Sequence, residues 1–159
     1  MDAELDIRTF AEPDRGALTS LWSACGLTRS WNDPDKDIDR KVAHSPDGLL
    51  VATIDGVVVG SVMAGYDGHR GWVNYLAASP DHRGAGVGRA LMDAAEDHLA
   101  GLDCPKINLQ IRTSNAGATA FYERIGYRVD EALSMGKRLV DDEVDGLEPL
   151  AEPRDVVGN

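Results

Sequence analysis

Cysteine, lysine and aromatic residues are scarce in this 159-residue chain. Its only cysteines, Cys25 and Cys104, match no metal-ligand spacing and no disulfide framework. They read as small core residues kept reduced, and no metal is expected. The lysines are Lys36, Lys41, Lys106 and Lys137, and 16 Lys and Arg face 27 Asp and Glu, for a net charge of −11. Phosphate binding on a nucleic acid needs a basic surface, so that partner class is excluded. No apolar run is long enough to cross a bilayer. The start, Met1-Asp2-Ala3-Glu4-Leu5-Asp6, lacks the basic-then-apolar pattern of a secretory signal. A soluble, cytoplasmic protein with no membrane partner is the expectation. No internal repeat is found.

What is present is ordinary for a globular protein: 43% hydrophobic and 27% charged residues. The length suits one compact domain with a real core. The acidic excess makes a cationic partner easier to attract. It serves equally as a solubility device.

Along the chain, residues 5–10 alternate as a first strand. Leu18, Leu21, Trp22 and Cys25 share helical spacing. Asp33-Pro34 reads as an N-cap followed by proline at the first helical position, opening a short helix with Ile38 and Val42 inward. The runs 49–54 and 57–66 flank Asp55-Gly56, a hairpin signal because both turn residues need positive φ. Residues 72–78 form the next strand. A helix follows from Val87 with Leu91, Ala94, Ala95, His98 and Leu102 on its inward side, then a strand through Ile107, Leu109 and Ile111. Asn115 can cap a last helix that Gly126 closes, and residues 127–139 read as a final extended segment. From 141 to 159 the chain is acidic, carries Pro149 and Pro153, and lacks periodicity. It reads as a frayed tail on a single domain spanning 1–140. The order is that of an α/β domain with a mixed sheet.

The chemistry concentrates between the fourth strand and the helix after it. Arg83-Gly84-Ala85-Gly86-Val87-Gly88 lets successive backbone N–H groups share one concavity without Cβ obstruction. The helix N-terminus adds partial positive charge, which together with the loop suits a pyrophosphate, and Arg83 adds a fixed charge at the mouth. A Walker A reading fails because no Gly-Lys-Ser/Thr follows. A dinucleotide fold is disfavoured because the loop lies mid-chain after a hairpin rather than opening a repeated βαβ unit.

Two motifs together carry a family likeness. The loop spells Arg83, Gly86 and Gly88 in an Arg-x-x-Gly-x-Gly pattern. The second block places Asn115, Ala118, Tyr122, Gly126 and Tyr127 in Asn-x-x-Ala-x-x-x-Tyr-x-x-x-Gly-Tyr. With these the chain resembles the GNAT acetyltransferases from about residue 5 to 139. Trp31-Asn32-Asp33-Pro34, Tyr66-Asp67-Gly68-His69-Arg70-Gly71 and Cys104-Pro105-Lys106-Ile107 are similar to the small bacterial YpeA-like branch.

The resemblance implies a GNAT fold, with a mixed central β-sheet splayed between strands 4 and 5 and flanked by helices. It implies acetyl-CoA as co-substrate and an amine of a small molecule, amino-acid derivative or protein as acceptor. Leu76, Ala77 and Ala78 would pair with the pantetheine arm as though it were a strand, one N–H near Leu76 serving as oxyanion donor. Arg83, Gly84, Ala85, Gly86, Val87, Gly88 and Arg89 would hold the pyrophosphate, and Asn115 the arm. Tyr122 would protonate the departing thiolate. The base is left open among Tyr75, Asp67 and His69. The acceptor would meet Trp31 as a wall and Asn32 beside it. Asp33 serves either as an ammonium partner or as the helix cap. Arg70 is placed against a substrate carboxylate. Family habit suggests a homodimer. The alternative is a non-catalytic acyl-CoA-binding or regulatory domain on the same fold.

Overall fold

The computed structural model describes residues 3–142. Its elements are β1 (Leu5–Thr9), α1 (Arg15–Ala24), α2 (Pro34–His44), β2 (Leu49–Ile54), β3 (Val57–Tyr66), β4 (Gly71–Ala78), α3 (Val87–Ala100), β5 (Ile107–Leu109) and α4 (Ala116–Arg124). The hairpin joining β2 and β3 turns at Asp55 (φ 51°) and Gly56 (φ 79°). Two consecutive positive φ values match the twist of the flanking strands.

The sheet runs β1-β2-β3-β4-β5. Its pairs are antiparallel except β4–β5, which is parallel. A parallel neighbour needs a crossover, and α3 supplies it. The β4–β5 ladder covers only Gly71–Val73 against Ile107–Leu109. Beyond Val73 the two strands part, giving the splayed mixed sheet that the resemblance implies.

Both faces of the sheet are covered, so β2 is apolar at successive positions rather than alternating with polar residues. Leu50 and Ala52 pack toward α3 and α4 with Val62, Leu91 and Met92. Leu49 and Val51 pack toward α1 and α2 with Leu18, Trp22 and Ile38. Leu18, Trp22 and Ile38 are fully buried, and each such side chain contributes ~1.5–3 kcal/mol. α3 lies tightly on β3 at Gly60, where a Cβ would come within 2.6 Å of Val87 Cγ1 and 2.8 Å of Leu91 Cδ1. Its buried face is Val87, Leu91, Met92, Ala95 and Leu99. Met92 and Leu99 thus replace His98 and Leu102 of the sequence reading, and Leu102 is exposed.

The final extended segment expected over 127–139 forms no ladder. It follows β5 through side chains instead: Lys106 Nζ meets Asp130 Oδ2 at 2.8 Å, and Gln110 Nε2 donates to Ser134. Its apolar residues Val129, Leu133, Met135 and Leu139 are exposed. The chain then reaches α2. Arg138 donates to Asn32, and Asp142, 2% exposed, pairs with Arg40 and lies 3.8 Å from Lys36 Nζ. The acidic stretch expected from position 141 therefore begins with a docked residue, and 143–159 lie outside the described residues. No helix among the described residues is long and apolar enough to cross a membrane.

Candidate active site

β4 carries an extra residue where the sheet opens. Ser61 stands opposite Ala77 and Met63 opposite Asn74, so Tyr75 and Leu76 together face Val62. A bulge of this kind reverses which face later side chains point to. Val73 packs on the α3 side, whereas Tyr75 and Ala77 pack on the α1–α2 side. Tyr75 sits at φ 52°, a left-handed conformation costing roughly 1–3 kcal/mol for such a residue.

Three contacts hold it there. The Ser61 hydroxyl donates to the Tyr75 carbonyl at 2.8 Å, and Trp22 Nε1 donates to Ser61 Oγ at 2.8 Å. The Trp22 and Tyr75 rings stack with centroids 3.8 Å apart. At the other end of the ring, Tyr75 Oη donates to Asp37 Oδ2 at 2.5 Å. Burial and the neighbouring carboxylate push the Tyr75 phenol far up. Burial likewise pushes Asp37 above the usual aspartate range, only partly offset by the Tyr75 hydroxyl and Arg40.

A half-open cleft of ≈ 1970 Å³ runs along β5 and residues 126–135 and takes in the gap where β4 and β5 part. Tyr75 and Leu76 line it from β4, Asn115 and Tyr122 from α4, and Asn32 and Asp37 from the α2 side. Tyr122 lies edge-on to Phe121 and Tyr127, with centroids 5.2 and 5.7 Å away. Burial pushes its pKa up to about 12, so its hydroxyl keeps its proton at neutral pH. Asn115 caps α4, its Oδ1 accepting from Ala118 N at 3.0 Å. Ala77 is buried against α1, and the Ala78 carbonyl accepts from the Cys25 thiol at 3.3 Å.

The glycine loop follows β4 and leads into α3. Gly84 (φ 83°) and Gly86 (φ 76°) are left-handed, with open space where a Cβ would stand. No side chain caps α3, and the first N–H groups of a helix have no intrahelical acceptor. Gly88 faces α4, where a Cβ would sit in ordinary contact with the Phe121 ring at 3.4 Å. Arg83, Ala85 and Arg89 are exposed around the loop, and Val87 is buried. These features fit a pyrophosphate.

Other residues singled out in the sequence lie elsewhere. Asp67, His69 and Arg70 form the β3–β4 turn, at the far end of β4 from the bulge. Asp67 Oδ1 accepts from His69 N at 2.8 Å and Arg70 N at 2.7 Å. Those bonds hold Asp67 below the usual carboxylate range. Asp33 caps α2, accepting from Asp35 N at 3.0 Å and Lys36 N at 3.4 Å. Trp31 is half-buried in the loop before it. None of these residues lines the cleft. Asn32 does line it: it is 6% exposed, its Oδ1 accepts from Arg138, and its Nδ2 has no partner among the described residues.

Sequence reasoning missed Asp37, Ser61 and the role of Trp22. For Asp37 a signal existed: a carboxylate directly before the inward Ile38 on a short amphipathic helix. Ser61 and Trp22 had none, because their meeting depends on the packing of α1 on β3. Among the described residues no group of three or more His, Cys, Asp or Glu is placed to hold a metal.

Comparison with known proteins bears on this arrangement. The Acetyltransferase (GNAT) family model matches residues 15–127. An acetyltransferase of Pectobacterium atrosepticum is 46% identical over 138 residues, covering 87% of this chain and 98% of the relative. One of Sodalis glossinidius is 46% identical over 140 residues, covering 87% and 99%. Neither bears the narrower YpeA-like designation. Among solved structures, Ard1 from Thermoplasma volcanium aligns with a TM-score of 0.68 at 26% identity, over 79% of this chain and 84% of that one. The aminoglycoside N-acetyltransferase AAC(6')-Iy, solved with a bisubstrate analogue of CoA and acetylneamine, aligns at 0.69 with 18% identity, over 86% and 99%. That last likeness is one of fold.

Proposed function

Since the chain belongs to the acetyltransferase (GNAT) family, we propose that it transfers acetyl from acetyl-CoA to a primary amine in the cleft between β4 and β5. The acceptor is an amine of a small molecule, amino-acid derivative or protein. The observation that carries this reading is the bulge at Tyr75–Leu76. It breaks the regular ladder where β4 leaves β5, on the same cleft as Tyr122.

Acetyl-CoA supplies an activated acyl group, a thioester whose carbonyl is open to an amine. The residues of this chain do the rest. The Arg83–Arg89 loop and the N-terminus of α3 bind the pyrophosphate. The backbone of Leu76–Ala78 pairs with the pantetheine arm, and the Asn115 amide donates to it. A Leu76 N–H stabilises negative charge on the carbonyl oxygen; removing a donor of this type typically costs 10²–10³ in rate. Tyr122, protonated at neutral pH like any tyrosine, donates to the departing sulfur. The non-catalytic alternative is not favoured, because the relatives are named acetyltransferases.

The test is incubation with acetyl-CoA and a panel of amines, followed by mass spectrometry of each amine. An N-acetyl amide is expected for at least one class. Tight acetyl-CoA binding with no amide from any class would reject the proposal.

A further inference from the structure

Asp37 is the one carboxylate that Tyr75 holds at the cleft, and its ionic surroundings are incomplete. The groups facing the Asp37–Tyr75 pair are Arg40 and Asp33 from α2, and Asp142 and Arg138 from the C-terminal segment. Arg40 Nη1 lies 3.7 Å from Asp37 Oδ1, but its guanidinium forks onto Asp142, with Nη2 to Oδ1 at 2.9 Å. Asp142 also draws Lys36. Arg138 is engaged by Asn32. Asp37 is therefore a half-buried carboxylate whose nearest cation is already paired, and such a group gains from meeting another cation. A second observation marks this cleft as one that takes a ligand: the Asn32 amide is more than nine-tenths buried, lines the cleft with Asp37, and leaves its Nδ2 donor unpartnered among the described residues, free for an acceptor atom of the ligand rather than for its ammonium.

We propose that Asp37 is the acceptor-site base: it receives the primary ammonium group of the acceptor and takes its proton. Tyr75 is the positioning residue, its hydroxyl donating to Oδ2 and leaving Oδ1 for the ammonium. The proposal rests on the acetyl-transfer reading above. An N–H bond of the ammonium breaks, and an O–H bond forms on Asp37. The freed nitrogen lone pair attacks the thioester carbon, making the C–N bond. As the C–S bond breaks, the Tyr122 hydroxyl gives its proton to the departing sulfur, and the second proton of the nitrogen passes through water to the Tyr122 oxygen, restoring the phenol. The proton on Asp37 returns to solvent, so one proton is released per turnover. Burial raises the Asp37 pKa, which makes it a stronger base than an exposed aspartate.

The experiment compares wild type, Asp37→Asn and Asp37→Glu by initial rates across pH. The amine panel holds a polyamine, a free amino acid, a peptide with an unblocked N-terminus and an amino sugar. Acetyl-CoA binding and melting temperature are measured alongside. Asp37→Asn keeps an oxygen for the Tyr75 hydroxyl and removes the charge. Its kcat/KM should fall ~10²–10⁴-fold, the range for general-base catalysis, and the acid limb of the profile should vanish. Acetyl-CoA affinity and melting temperature should hold, and Asp37→Glu should regain part of the rate. An Asp37→Asn enzyme with wild-type kcat/KM and an unchanged acid limb would overturn the proposal. So would a rate loss matched by loss of folding or acetyl-CoA binding. A wild-type enzyme that binds acetyl-CoA and acetylates no amine would instead overturn the acetyl-transfer reading, and Asp37's role with it.

Discussion

At the glycine loop the working groups are backbone: Gly84 and Gly86 turn left-handed into open space, and α3 starts without a side-chain cap. At the proposed acceptor end they are side chains brought together from across the fold: Asp37 from α2, Tyr75 from a bulged strand, Asn32 from a loop, braced by Trp22 and Ser61. A backbone site needs a few contiguous residues that allow the conformation. A side-chain site needs the packing to be right first. Disturbing the packing should therefore injure the acceptor end before the cofactor end.

Trp22→Ala is the severest way to try this contrast. It removes a fully buried indole, its stack on Tyr75 and its bond to Ser61. Loss of a core aromatic costs ~3–5 kcal/mol, so the melting temperature should drop steeply. Trp22→Phe keeps a ring on Tyr75 and should recover much of the stability. In the folded Phe variant, kcat/KM for the amine should fall while acetyl-CoA affinity holds. An equal loss on both sides would erase the distinction.

Tyr122→Phe isolates the group shared by the two halves. It keeps the edge-on packing and removes the proton donor. A kcat loss on the order of 10–1000-fold is expected, with acetyl-CoA Kd little changed, because the hydroxyl acts as charge develops on sulfur. Stopped-flow thiol release with a melting curve checks it. An unchanged kcat would leave water as the acid.

Gly86→Asp addresses the backbone half. It places a carboxylate and a strained φ (Gly86 φ 76°) at the loop proposed to bind the pyrophosphate. Acetyl-CoA Kd should rise at least tenfold, or ~1.4 kcal/mol, by isothermal titration, with the fold intact. Unchanged affinity would remove the loop from the site.

The smallest effect expected is on stability against pH, with two aspartates moving oppositely. Asp14 is held below its ordinary value by the Arg8 guanidinium, which it meets at 2.7 Å. It stabilises above its unfolded pKa, and that contribution is lost as pH falls through the lower folded value. Asp37 is raised by burial, so its contribution is present below its unfolded pKa and lost as pH rises through the folded one. At neutral pH, Asp14→Asn should lower stability by about 1 kcal/mol, since the carboxylate is buried but its Arg8 partner is largely in water. Asp37→Asn should keep or raise it. Denaturant melts at pH 4 and 7 decide, and a destabilised Asp37→Asn at pH 7 would make Asp37 a structural residue.

The same contrast governs how much could be read in advance. Element order came through because hydrophobic period, the Asp55-Gly56 turn and the Asp33-Pro34 start are local signals. The glycine loop and the Asn115–Tyr127 block were legible for the same reason. The bulge was not, since nothing local marks Tyr75 as left-handed; Ser61 and Trp22 hold it from other elements. The α3 face was misjudged at His98 and Leu102, because α3 ends at Ala100, before Leu102, and its buried face runs through Leu91, Met92, Ala95 and Leu99. The segment 127–139 alternates like a strand, yet it meets β5 only through side-chain bonds such as Lys106–Asp130.

The most direct test of acetyl transfer in this cleft is continuous thiol release from acetyl-CoA with and without amine. The expected result is release that depends on the amine, matches N-acetyl product one for one, and is slowed in Tyr122→Phe. Thiol release at the same rate without any amine, or none at all from an enzyme saturated with acetyl-CoA, would contradict it.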